Sequence, residues 1–158
     1  MNISGKIRPA LLGAALAVLA VPVGAADLMQ IPAKAATDGF KLSDTLIFPA
    51  FDPALGRKLF AEKGCVVCHM MNGIGGEDGP NLSYGQYDTP VNAMEVASDL
   101  WEKASIMIPA QQDELGAQIK LSPTELAGII AFLADKNEQS HFKKSDIPAK
   151  ILKDMENM

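Results

Sequence analysis

The chain has 158 residues, 48% hydrophobic and 21% charged, with 14 basic against 19 acidic side chains and a formal net charge of −5. That length suits one small domain with a leader rather than two domains. The acidic balance argues against a nucleic-acid binder, whose affinity rests on neutralising phosphates with Lys and Arg.

Lys6 and Arg8 precede an apolar run from Ala10 to Val23, and Val23-Gly24-Ala25-Ala26 offers small residues for cleavage, which together read as a secretory signal peptide over residues 1–26. The run is shorter than the roughly 20 residues a spanning helix needs, so cleavage is favoured over retention as an anchor, leaving no stable membrane span. Residues 27–51 carry Pro32, Pro49 and one short apolar run, Leu46-Ile47-Phe48. They read as an irregular N-terminal extension wrapping the domain surface. Asp52-Pro53 then supplies an N-cap and a proline at the first helical position, and Leu55, Leu59 and Phe60 share one helical face. A helix is predicted from Pro53 to Lys63, closed by Gly64 as a C′ glycine.

Gly64 delivers the chain into Cys65-Val66-Val67-Cys68-His69. Two cysteines at this spacing followed at once by histidine form the pattern of covalent attachment to a c-type haem. Cys65 and Cys68 would add across the two vinyl groups, and His69 would ligate the iron from the proximal side. Other uses of a Cys-x-x-Cys fit less well. Zinc needs about four ligands, and the chain has no further cysteine and one further histidine, His141; a thioredoxin-like dithiol calls for a βαβ context that is missing.

The stretch from Asn72 to Asn81 is rich in glycine and turn formers, a composition that lets backbone pass close to a flat ligand. Pro80 reads either as an ordinary turn proline or as the residue whose carbonyl accepts the Nδ1 proton of His69, leaving Nε2 for iron. From Val91 to Ile106, Val91, Met94, Ala97, Trp101 and Ala104 keep an apolar stripe at helical spacing, with no proline until Pro109. Ser122-Pro123-Thr124-Glu125 is a capping box ahead of Leu126, Ile129, Ile130 and Leu133, predicting a helix from Pro123 to Lys136. Gly56 and Gly128 inside two helices suggest that these helices cross at close range. Residues 137–158 form a tail whose Ser145-Asp146-Ile147-Pro148 opens a short helix, expected to fold its apolar side back on the domain. His141, in a polar segment, reads as a solvated surface histidine, and Trp101, Tyr84 and Tyr87 as ordinary packing or haem neighbours.

These residues resemble the class I c-type cytochromes over roughly Asp52 to Lys136. Gly56 and Phe60 are similar to that family's first-helix glycine and aromatic. Cys65, Cys68 and His69 match its haem motif, Gly79-Pro80-Asn81-Leu82 its Gly-Pro-x-Leu, and Leu126 to Leu133 its last helix. The resemblance implies an all-α, cytochrome c-like fold, with three main helices around one covalent haem c and here a short C-terminal helix after a domain spanning 52–136. It also implies a methionine as the second axial ligand, and Met107 stands in the corresponding region. This sequence departs from the common pattern in the Ile108 between Met107 and Pro109 and in a long Gln111 to Lys120 connection.

The function so implied is a periplasmic single-haem electron carrier rather than an enzyme. It would pass one electron between redox partner proteins, and its acidity would speed encounter with a partner bearing a basic face. A dedicated haem subunit of a larger oxidoreductase is the alternative. A five-coordinate gas-binding or peroxidase-type haem protein is a third reading, disfavoured because no distal His/Arg pair is evident.

Overall fold

The computed structural model describes residues 39–156; the expected signal peptide and the first part of the expected 27–51 extension lie outside the described residues. The chain is mostly helical, in keeping with a cytochrome c-like fold. Helices α1 (Pro53–Glu62) and α5 (Pro123–Ala134) make the most extensive packing contact in it. Asp52 caps α1, its Oδ1 accepting from Ala54 N and Leu55 N at 3.0 Å each. Ser122 and Glu125 close a full capping box at α5, with Ser122 N donating to Glu125 Oε2 at 2.8 Å. Both helices thus satisfy exposed first-turn N–H groups with side chains written into the local sequence.

The two helices cross at their glycines. A Cβ on Gly56 would stand 1.9 Å from the Gly128 carbonyl oxygen, so any larger residue would force the helices apart. Around the crossing, Phe60, Phe132 and Phe142 form an aromatic triad with ring centroids 5.6 to 6.1 Å apart. All three rings are buried, and tilted or edge-on contacts of this kind add to the stabilisation from area burial alone.

Three expectations are corrected. The segment read as irregular contains a two-stranded antiparallel hairpin, β1 (Phe40–Ser43) and β2 (Leu46–Phe48), so the described chain is not purely helical. Its cross-strand pair Phe40 and Phe48 stacks at 5.2 Å between centroids, a pairing that depends on register and not on a run of β-branched residues. Next, the middle helical stretch is two helices, α3 (Ala93–Glu102) and α4 (Ala104–Leu115), which meet at Lys103. Helix α4 runs through Pro109 and ends only at Gly116, in the left-handed region at φ 77°. Much of the expected Gln111–Lys120 connection is therefore helical, and its remainder is braced by Gln111 Oε1 accepting from Ile119 N at 2.9 Å. Finally, α5 stops at Ala134. Asp135 caps a short α6 (Lys136–Ser140), accepting from Glu138 N at 2.9 Å.

The tail folds back on the domain. Phe142, Ile147 and Ile151 are all buried, the last on α7 (Ala149–Glu156). Arg57 on α1 ties this tail down, its Nε donating to Glu138 at 2.7 Å and its Nη1 to Asp146 at 2.8 Å.

Candidate functional site

The site begins where α1 ends. Gly64 has φ 84°, a left-handed conformation that glycine adopts without penalty. Its Cα face lies against other chain segments, since a Cβ there would meet Leu115 Cδ2 at 2.9 Å and Ile151 Cδ1 at 3.5 Å. The reversal launches one helical turn, α2 (Cys65–Cys68). Val66 and Val67 point into the core and are fully buried. Cys65 and Cys68, three apart and so on one side of the turn, stay partly exposed as free thiols.

The thiols are poorly suited to dithiol chemistry. Desolvation pushes the Cys65 thiol up to about 11, although the residue as a whole keeps some exposure. Desolvation, followed by the negative charges of Asp78 and Glu114, raises Cys68 as well. Redox-active Cys-x-x-Cys pairs need a lowered pKa to supply thiolate, the reverse of what stands here. Among the described residues no group of three or more His, Cys, Asp and Glu side chains is arranged to hold a metal ion, so a zinc site lacks its ligands.

His69 follows in extended conformation, its N–H donating to the Cys65 carbonyl at 3.0 Å. Its Nδ1 lies 2.9 Å from the Pro80 carbonyl oxygen. A carbonyl can only accept, so this contact places the proton on Nδ1 and leaves the Nε2 lone pair available as a ligand. Gly79 is packed against the same ring: a Cβ there would lie 2.4 Å from Cε1 and 2.5 Å from Nδ1. The glycine-rich loop was expected to hug a flat ligand, but the close approaches it makes within the chain are to the attachment turn. Gly76 N donates to Val66 O at 3.0 Å, Gly79 N to Cys68 O at 2.8 Å, and Leu82 N to Met70 O at 2.9 Å. A Cβ on Gly76 would sit 1.9 Å from Val67 O. The loop is thus laced to α2, and the imidazole is held by a turn that has no room for side chains.

Met107 is half-buried in the second turn of α4, its N–H donating to Lys103 O at 3.0 Å. The opposite end of α4 reaches the attachment segment, where Leu115 meets Gly64 and Glu114 acts on Cys68. At about 1.5 Å per residue, Met107 lies about 12 Å before Leu115 along the helix axis. Trp101 is 83% exposed and Tyr84 42%, while Tyr87 is half-buried and its phenol raised by desolvation and then by Asp99. His141 is exposed, with Nδ1 3.5 Å from Glu138. Sequence reasoning missed Gln139, which is buried within a segment that reads as polar and solvated, and it missed the contact of Gly79 with the imidazole. Neither residue type carries a signal of its own.

The thiol pair, the oriented imidazole and the close loop together fit a flat group bound covalently beside α2. The family model for cytochrome c matches residues 53–137. No curated protein and no solved structure matches the chain.

Proposed function

Since the chain belongs to the cytochrome c family, whose members bind haem c and transfer electrons, we propose that it is a periplasmic single-haem carrier. Cys65 and Cys68 form the thioethers, and His69 and Met107 are the axial ligands. The observation that carries this reading is the 2.9 Å contact between His69 Nδ1 and the Pro80 carbonyl. It orients an imidazole with a free Nε2 directly after two thiols on one helical turn. When bound, the haem would supply a one-electron couple, and the soft thioether donor of Met107 would favour the reduced iron.

The chain's own residues do the rest. Val66 and Val67 anchor the attachment turn in the core, and Gly79 with Pro80 prevents the imidazole from rotating. A fixed ligand geometry in both oxidation states keeps reorganisation small, as a carrier requires. Asp78 and Glu114 give the surroundings of Cys68 a negative potential, which suits encounter with a partner carrying a basic face. The leader sequence supports export to the periplasm. No described helix is long and apolar enough to cross a membrane.

The test is the optical spectrum of the purified holoprotein, wild type beside Met107→Ala, oxidised and reduced, with carbon monoxide added to the reduced form. The wild type should show a weak far-red methionine-to-iron band and ignore carbon monoxide; Met107→Ala should lose the band and bind the gas. Ready carbon monoxide binding by the wild type would reject the closed carrier in favour of an open-iron protein.

A further inference from the structure

Beyond Pro80, hydrogen bonds run on into the body of the fold. Asn81 Oδ1 accepts from Ser83 N at 2.9 Å and from Ser83 Oγ at 2.6 Å. Ser83 Oγ in turn accepts from Asn72 N at 2.8 Å. Asn72 has φ 50°, a left-handed conformation that asparagine tolerates better than most residues. Its Nδ2 donates to the Gln139 carbonyl at 2.9 Å.

That chain of contacts ends on the Gln139 backbone, and the Gln139 side chain makes a separate set. Its Oε1 accepts from Tyr84 N at 2.6 Å, and its Nε2 donates to the carbonyls of Phe132 and Leu133 at 3.1 and 3.0 Å. Those two carbonyls belong to the last turn of α5; Phe132 O also accepts from Asp135 N at 3.3 Å, so Leu133 O is the end-of-helix acceptor that depends on the amide. Gln139 is 1% exposed and is the buried polar side chain of the described residues. One amide therefore serves both the end of α5 and the start of the return from the Asn72–Tyr84 loop. Removing it would leave Leu133 O at the buried end of α5 without that partner and release Tyr84 N on the loop side.

We infer that Gln139 is a positioning residue for His69. It clamps the Asn72–Tyr84 loop to the end of α5, and the clamped loop holds the Pro80 carbonyl where it receives the Nδ1 proton. The inference rests on the reading of His69 as an iron ligand. A carbonyl held on Nδ1 makes the imidazole more basic and favours oxidised iron; a loosened loop weakens that contact and shifts the balance towards reduced iron.

The experiment uses the holoprotein with Gln139→Met, which keeps side-chain length and removes the amide. Two quantities are measured: the solvent exchange rate of the His69 Nδ1 proton by NMR, and the midpoint potential. Exchange should accelerate about tenfold, and the ratio of reduced to oxidised protein at fixed ambient potential should rise about tenfold, the bottom of the range for losing an outer-shell partner. Should Gln139→Met fail to fold, Ser83→Ala cuts the loop's second tie, from Asn81 through Asn72 to the Gln139 backbone carbonyl, and should move both readouts in the same direction. A folded variant with unchanged exchange and potential overturns the role of Gln139 while leaving His69 ligation intact. A wild type without covalent haem overturns the functional reading instead, and the exchange comparison then decides by itself whether Gln139 governs the His69–Pro80 contact.

Discussion

Helix α5 and the pair α3–α4 both carry apolar residues at helical spacing, yet they relate to the protein interior in opposite ways. Helix α5 buries Ile129, Ile130, Phe132 and Leu133 against α1 and the tail, whereas α3 buries only Val96 and α4 buries none of its residues. Large apolar side chains remain outward on the second pair, with Trp101 83%, Ile106 75% and Met94 65% exposed. Periodicity of apolar residues therefore forecasts a helix without forecasting how deeply it is buried. The half that carries the attachment turn is held by protein packing. The half that carries Met107 takes little from the core and is anchored at its far end through Leu115.

The sharpest way to break this contrast is to remove an aromatic ring from each half. Phe132→Ala, at a fully buried position between Phe60 and Phe142, should cost about 3–5 kcal/mol of unfolding free energy in urea titration. A loss below about 1 kcal/mol would mean the triad is not the core it resembles. In the haem-free chain, Trp101→Ala removes a larger ring from the exposed helix pair and should change stability by less than about 0.5 kcal/mol. A much larger loss would show that Trp101 is covered in solution and would erase the difference between the halves.

A finer probe sits within the packed half, where Lys63 Nζ reaches Glu125 at 2.8 Å and links the end of α1 to the start of α5. The hydrogen bond from Lys63, then that from the Ser122 backbone, lowers the Glu125 carboxyl. A lowered carboxyl contributes stability above its unfolded pKa of about 4.3 and loses it as pH falls through the folded value. Glu125→Gln keeps the capping box and deletes the charge. The small stability gap between wild type and this variant, measured by denaturation at low salt, should be present at pH 7 and close as pH falls below about 4. A gap that persists in acid would locate the contribution in capping geometry and not in the ion pair.

Much of the packed half was legible in the sequence because its signals are local. Asp52-Pro53 and Ser122-Pro123-Thr124-Glu125 name their own helix starts, and Gly56 with Gly128 anticipates the crossing. The thiol and histidine pattern was equally plain, since three reactive side chains within five residues leave few alternatives. What was hidden depends on distant partners. The break at Lys103 and the passage of α4 through Pro109 override local preference, because a proline in a helix interior loses a hydrogen bond and still can be tolerated. The Phe40–Phe48 stack needs a strand register that a short segment does not announce. Gln139 reads as solvent-facing until Phe132, Leu133 and Tyr84 surround its amide.

Gly64, wedged between Leu115 and Ile151, also carries a consequence for the order of assembly. The turn comes early in the described chain, whereas Ile151, whose Cδ1 lies beside Gly64, belongs to the last described helix. One side of the turn is therefore complete only once α7 has packed. Cys65 and Cys68 keep part of their surface exposed with that helix in place, so the packing of α7 braces the turn without closing it off.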